Sequence, residues 1–341
     1  MTNNYLLNRR LSNGFTLIEL LISMLLGLIL IGGVYSVFTE NARTSQLVQA
    51  TSRTQENGRF ALSELVSRAR MVGYMGCLAA LDLTSSDFIN TLNPTGDDYY
   101  FDLTAGQLEV IEFETAADLP APLSADIAPA AGTDVVIIRG LSSADYNLAG
   151  SMPNTSADLK ITGGTSNIST GDVVFLSDCQ KAAVFQVTNT NTMGSGGRRN
   201  VVHNTGGGSP GNASKQLSNG QPFAEDATVQ QFNTTVFFIA PASFLTNNQG
   251  DDVLALWQKN GTAAPFELVS GINDLEIWLG EDSGGDGIPD RVVRPSQLLA
   301  GDARNVVTMD IRVRADSIDP VGADLIQRDF FASVKFRNRG L

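Results

Sequence analysis

One stretch near the N-terminus limits what this chain can become. Residues 20–39 carry no charge. As a helix, at about 1.5 Å per residue, they extend roughly 30 Å, the thickness of a bilayer's hydrocarbon core. Just ahead lies Gly14-Phe15-Thr16-Leu17-Ile18-Glu19, preceded by Arg9 and Arg10. Glu19 is out of place there. A carboxylate at membrane depth costs on the order of 3 kcal/mol, so it marks a functional position unless it snorkels from the helix start to the interface. The partial positive charge of a helix N-terminus also favours an acid at this point.

An ordinary secretory peptide puts its apolar segment before a small-residue cleavage site, whereas here the candidate glycine precedes the apolar run. The run would therefore stay in the mature protein. Gly14 to Glu19, behind a short basic leader, resembles the class III signal of type IV prepilins and type II secretion pseudopilins. That resemblance implies removal of a leader, residues 1–14, by a membrane prepilin peptidase cutting after Gly14. It also implies N-methylation of Phe15 and places Glu19 at the fifth mature position. A free amine on Phe15 would lie one helical turn from Glu19. Neighbouring subunits in a helix bundle could present the same pair, and in lipid such pairing offsets much of the cost of each charge.

The formal charge of the 341-residue chain is −13, and loss of Arg9 and Arg10 leaves 21 basic residues against 36 acidic ones. This balance argues against a nucleic-acid partner, which requires a basic patch. Few charges (17%) with abundant Gly, Asn, Thr and Ser favour a loop-rich β body. Cys77 and Cys179 allow a single pairing. In an exported body they are expected to form a disulfide closing a loop of about 100 residues, worth up to about 4.7 kcal/mol in the chain-entropy model; buried free thiols are the alternative.

The first proline is Pro94, so nothing forbids a continuous helix from residue 15 to about residue 72. Its transmembrane half covers 15–39 and its amphipathic half 40–76. A stripe of Leu47, Thr51, Thr54, Gly58, Ala61, Leu65, Ala69 and Val72 recurs at steps of three and four. A membrane anchor followed by a separate helix is the alternative, and no Pro- or Ser-rich linker near residue 40 supports it. Residues 77–341 read as a β-rich globular body. Strand segments are expected at 108–113, 134–139, 172–176, 182–188, 234–240 and 252–258, the third and fourth forming a hairpin around Cys179. Val307, Met309, Ile311, Val313 and Ala315 alternate with polar residues, as do Phe330, Ala332, Val334 and Phe336. Residues 189–222, rich in Gly, Ser and Asn, read as a flexible surface loop. Whether the body holds one sheet or two stays open. The fold class is α+β: a long N-terminal helix packed on an antiparallel sheet body, as in pilin-like folds.

Catalysis has little material. His203 is the only histidine and falls in the Gly-rich loop, where a surface position is expected. The acid pairs Glu112/Glu114 and Asp251/Asp252 read as solvated strand edges. In the loop from Asp282 to Asp290, oxygens of Asp282, Asp286 and Asp290 could hold calcium, although the loop lacks the EF-hand's third-position acid and its terminal glutamate. An acidic hairpin turn is the alternative. No other cofactor and no enzymatic activity are expected.

Three further segments narrow the resemblance. Glu56-Asn57-Gly58-Arg59-Phe60-Ala61-Leu62 with Gly73-Tyr74-Met75-Gly76-Cys77 resembles the helix end of PilW minor pilins of type IV pili. Residues 268–277 with Gly280 resemble a stretch of PilW and of the larger type II pseudopilins. Arg328-Asp329-Phe330-Phe331-Ala332-Ser333-Val334, with Arg337-Asn338-Arg339, resembles the PilW C-terminus. The resemblance implies a low-abundance subunit that starts pilus assembly and sits in a tip complex serving adhesion and twitching motility. Its partners would be the prepilin peptidase, other minor pilins, the major pilin, a tip adhesin and, before assembly, inner-membrane lipid. Two other readings remain: a type II secretion pseudopilin, and a membrane-anchored periplasmic binding protein.

Overall fold

The computed structural model describes residues 15–76, 87–93, 98–102, 106–162, 167–193, 197–298 and 305–336. Helix α1 (Leu17–Ala69) is 53 residues long, or about 80 Å. It starts at Thr16, which has extended backbone angles and caps the first turn, and it runs on without a proline. It ends where Gly73 takes φ 83°, a left-handed conformation that costs a side-chain-bearing residue more.

The body is built from β1 (Phe88–Asn90), β2 (Leu108–Phe113), β3 (Thr133–Asn147), β4 (Leu159–Thr162), β5 (Val173–Ser177), β6 (Ala182–Gln186), β7 (Asn189–Met193) and β8 (Arg198–Val202). It continues with β9 (Thr228–Thr246), β10 (Asp252–Asn260), β11 (Phe266–Ser270), β12 (Ile272–Glu281), β13 (Arg291–Val293), β14 (Val306–Asp316) and β15 (Gln327–Lys335). These form three sheets. The largest runs β1-β6-β5-β9-β10-β11, with β3 also on β9 and β2 on β3; a second runs β13-β12-β14-β15, and a third β4-β8-β7. The architecture is the expected α+β one, with a single parallel pair, β1 on β6, in otherwise antiparallel sheets.

The alternation read near the C-terminus is the pleat of β14. Val307, Met309, Ile311, Val313 and Ala315 are buried, and the last four, with Leu275, Ile277 and Val334, make the floor on which α1 docks. From the helix come Ala61, Leu65 and Ala69, and from the turn after it Val72, all fully buried. Burial of a leucine such as Leu65 contributes about 2 kcal/mol. One helix glycine has a specific reason: a Cβ on Gly58 would lie 2.1 Å from Phe330 Cε2 on β15, so the ring rests where a side chain would stand.

The large sheet is joined to the second by a buried polar clasp. Asp134 on β3 accepts from Ile277 N of β12 at 2.6 Å and from Arg294 Nη2 at 2.8 Å. Arg294 also donates to Ile277 O at 2.8 Å, pairs with Glu112 at 3.2 Å and lies over the Trp278 ring. Burial pushes the Asp134 carboxyl up to about 6 despite these donors.

Residues 189–222 depart from the expectation of a flexible loop. They contain β7 and β8 and the buried Leu217, Asn212 and Ser218. Asn212 exchanges hydrogen bonds with the Gln186 backbone, donating to O and accepting from N, both at 2.7 Å. Gln186 in turn accepts from Gly211 N and donates to the Gly171 and Ser209 carbonyls. The glycines and asparagines fold this excursion back onto β6 and cap a separate core around Phe185, Val201, Leu217 and Phe223.

Candidate functional site

The head of α1 carries the sequence features that call for function. Phe15 is 80% exposed, and the apolar side chains from Leu17 to Phe38 face outward on every side. Around Gly27, Gly32 and Gly33, the space a Cβ would enter is open. Among the described residues this is the one helix long and apolar enough to cross a membrane, and none of its apolar window is buried in the body. A soluble core helix would hide such a face.

Glu19 is not alone at this head. Thr16 Oγ1 accepts from Glu19 N at 3.3 Å, while Glu19 Oε2 accepts from both Thr16 N and Thr16 Oγ1 at 3.4 Å. This is a capping box, in which two orphan donors of the first turn are satisfied reciprocally. Thr16-Leu17-Ile18-Glu19 matches its T-x-x-E signature, a capping signal the sequence carries alongside the expected pairing of Glu19 with the Phe15 amine. The acid therefore has a partner within its own chain. Gly14 lies outside the described residues.

The helix docks later than its hydrophobic stripe implies. Leu47 is 48% exposed, and the first fully docked side chain is Thr54. Asn57 Nδ2 donates to the Ser270 carbonyl at 3.0 Å, fixing the helix to the end of β11. Leu47 therefore belongs to the free part of the helix and not to its seat.

Other expected sites resolve differently. Asp282 accepts from Gly285 N and Gly287 N, both at 2.6 Å, and Asp286 from Ile288 N at 2.9 Å. Asp290 accepts from Ser283 N, Ser283 Oγ and Gly284 N, and these donors hold its carboxyl below the usual range. The three acids thus brace the β12–β13 turn. Among the described residues no group of three acidic, histidine or cysteine side chains is placed to hold a metal ion.

His203 is fully buried, contrary to the surface position expected. Its Nε2 lies 3.0 Å from the Ala157 carbonyl and its ring 5.0 Å from that of Phe185, and burial pushes its pKa down. It is a packed core residue. Glu112 is drawn into the Arg294 clasp and is not a bare edge acid. Cys179 sits at a turn with φ 67° and is not a free thiol. Cys77 lies outside the described residues.

Two buried cations escaped the sequence reading. Arg139 donates to Glu109 at 2.9 Å and to the Tyr99 and Gly106 carbonyls at 3.3 Å. Lys259 reaches Asp126 at 3.2 Å and the Ala263 carbonyl at 2.6 Å. Both tie chain segments together, and apart from Ala263 their partners lie 30 or more positions away, too distant to be read from spacing.

With the exposed apolar head and its capped acid in place, one comparison is decisive. Residues 9–35 match the family described as the prokaryotic N-terminal methylation motif. The chain carries this prepilin-like signal. The match spans the basic pair, the Gly14–Phe15 junction, Glu19 and most of the apolar run, and it is consistent with the broader type IV pilin-like family. No curated protein matches the chain.

Proposed function

We propose that this chain is a minor pilin that helps start type IV pilus assembly and joins a complex at the pilus tip. The observation that carries the reading is a helix whose apolar, signal-bearing half touches nothing in its own body, while its second half is seated on a sheet. A subunit of this build is stored with its head in the inner membrane and its body in the periplasm. Cleavage after Gly14 by the prepilin peptidase, and methylation of Phe15, leave a mature head. That head then packs against those of other minor pilins and the major pilin. The Phe15 amine then competes with the Thr16 donors for Glu19. Packing in lipid favours small interface residues, here Gly27, Gly32 and Gly33. The likeness of three other segments to PilW minor pilins supports the tip assignment, with a tip adhesin as a further partner. Cys77 paired with Cys179 would tie the end of the helix to the β5–β6 turn.

The test is the mass of the native N-terminus. Expected is a methylated Phe15 start, lost when Gly14 is replaced by a bulky residue. A chain that keeps residues 1–14, or still begins at Phe15 in the Gly14 variant, overturns the processing step. A type II secretion pseudopilin shares the same physics. Loss of surface pili on deletion supports the pilus assignment, and loss of exoprotein secretion overturns it.

A further inference from the structure

Where α1 meets the body, a cleft of about 180 Å³ opens between the polar side of the helix and the loop after β14. Gln46, Gln49, Arg53 and Asn57 line it from the helix, and Asp316 and Asp319 from the body. Asp316 is 93% buried (7% exposed). Its Oδ2 accepts from Gln327 Nε2 at 3.1 Å, but its Oδ1, also buried, meets no donor among the described residues. A buried carboxylate oxygen without a donor is costly, and the cost vanishes when a cation or strong donor reaches it. Asp319 uses one oxygen to accept from Asn248 N at 2.8 Å. Arg53 is exposed and in no ion pair among the described residues. Among the lining residues two carboxylates stand against one guanidinium, and Arg314, the other cation near Asp316, is paired with Asp329. The side-chain amides of Gln46, Gln49 and Asn57, each with an acceptor oxygen, complete a polar wall. A planar guanidinium, with five N–H donors and no acceptor, matches this wall better than an anion or an apolar group.

We propose that the cleft receives a guanidinium-bearing side chain from a neighbouring subunit, with Asp316 as its anchor. That the guest comes from a subunit rests on the reading of this chain as an assembling pilin. The cleft's chemistry does not depend on that reading. A docked arginine at this height would join the body of one subunit to the helix seat of another, where packing in lipid alone gives no register.

The test uses the full chain in zwitterionic detergent micelles, with N-acetyl-arginine amide as probe and the neutral citrulline amide as control. Expected is saturable binding of the arginine probe only. D316N should weaken it by about tenfold or more, the usual effect of removing a charged hydrogen-bond partner. Q49R, which places a guanidinium in the cleft from within, should abolish it. R53A should leave thermal stability unchanged and tighten the probe by removing a like charge. Equal binding of both probes, unchanged binding to D316N, or no binding overturns the proposal. So does R53A unfolding as readily as D316N, since Arg53 would then be Asp316's own partner. A photo-cross-linker at Gln46 in cells addresses the source. An identified peptide with Arg beside the cross-link supports it, and no adduct or a lipid adduct overturns it. The N-terminal mass of the same preparation scores the pilin reading separately.

Discussion

Gly58 offers the sharpest quantitative test of how the helix is seated. In most exposed helices Gly→Ala stabilises by about 1 kcal/mol, because alanine loses less backbone freedom on folding. At Gly58 a Cβ would lie 2.1, 2.5 and 2.7 Å from three atoms of the Phe330 ring, all far inside van der Waals contact. The new methyl must therefore move the ring or lift the helix. Overpacking of this kind costs about 1–3 kcal/mol, and a ring expelled to solvent forfeits a further part of its roughly 2 kcal/mol of burial. The net expectation for G58A is a loss of about 1–3 kcal/mol. F330A alone empties the seat and should cost about 2–4 kcal/mol, because Phe330 is only partly buried. In the F330A background, however, G58A should stabilise by about 1 kcal/mol, since propensity is then unopposed. The sign of one substitution should reverse with the other, a coupling no additive pair shows. Urea unfolding of the full chain in micelles, followed by fluorescence of Trp257 and Trp278, measures all four corners. If G58A stabilises the wild-type background as well, the ring does not occupy the glycine's space and the docking described is wrong.

Three other outcomes are expected. Asp134 has a carboxyl raised from 3.8 to about 6, so the fold prefers it protonated. Its contribution is fully present below about pH 4 and is lost as pH rises through 6. The stability of wild type relative to D134N should accordingly fall by up to about 3 kcal/mol between pH 4 and 7, measured by urea titration; a pH-independent difference refutes the assigned shift. Millimolar calcium should leave the melting temperature unchanged, while D290A should speed amide exchange at Ser283 and Gly284, whose donors it frees; a calcium-dependent rise would reinstate the cation site. T16V removes the cap on Glu19 N and should cost about 1 kcal/mol at the helix start, seen as faster exchange at residues 18–20; unchanged exchange there would show the capping box to be idle.

The sequence disclosed those elements whose partners are near in the chain or whose pattern is periodic. Helix α1 and strand β14 were legible from proline-free length and strict alternation, and β2, β5 and β6 from short apolar runs between turn residues. The methylation signal was legible because it is contiguous. What stayed hidden depends on distant residues. Asp134 meets Ile277 across 143 positions, and Asn57 meets Ser270 across 213. Composition misled at 189–222, where glycine and asparagine served tight turns and backbone mimicry instead of freedom. It misled again at His203, which precedes a glycine-rich stretch in the chain but whose neighbours in space are Phe185 and the Ala157 carbonyl.

The place where the stripe on α1 overshoots its dock bears on how the two halves of the helix divide their work. A period of three and four from Leu47 to Val72 predicts one continuous apolar contact, yet burial begins only at Thr54. The residues between Thr39 and Thr54 add about 20 Å of helix before the first fully buried side chain, and the loop after β14 runs beside the second half of this stretch, at Gln46, Gln49 and Arg53. This neck is polar on most sides, carrying Glu40, Arg43, Gln46 and Gln49, with Leu47 and Val48 as its exposed apolar residues. Within the described residues Leu47 stays 48% exposed and Val48 60%. A body held tightly against the bilayer would not need such a length, and a body free of the helix would not bind Asn57 to Ser270. In the assembly proposed above, this arrangement would hold the body away from a lipid-soluble head, so that neighbouring heads could pack without collision of the bodies above them.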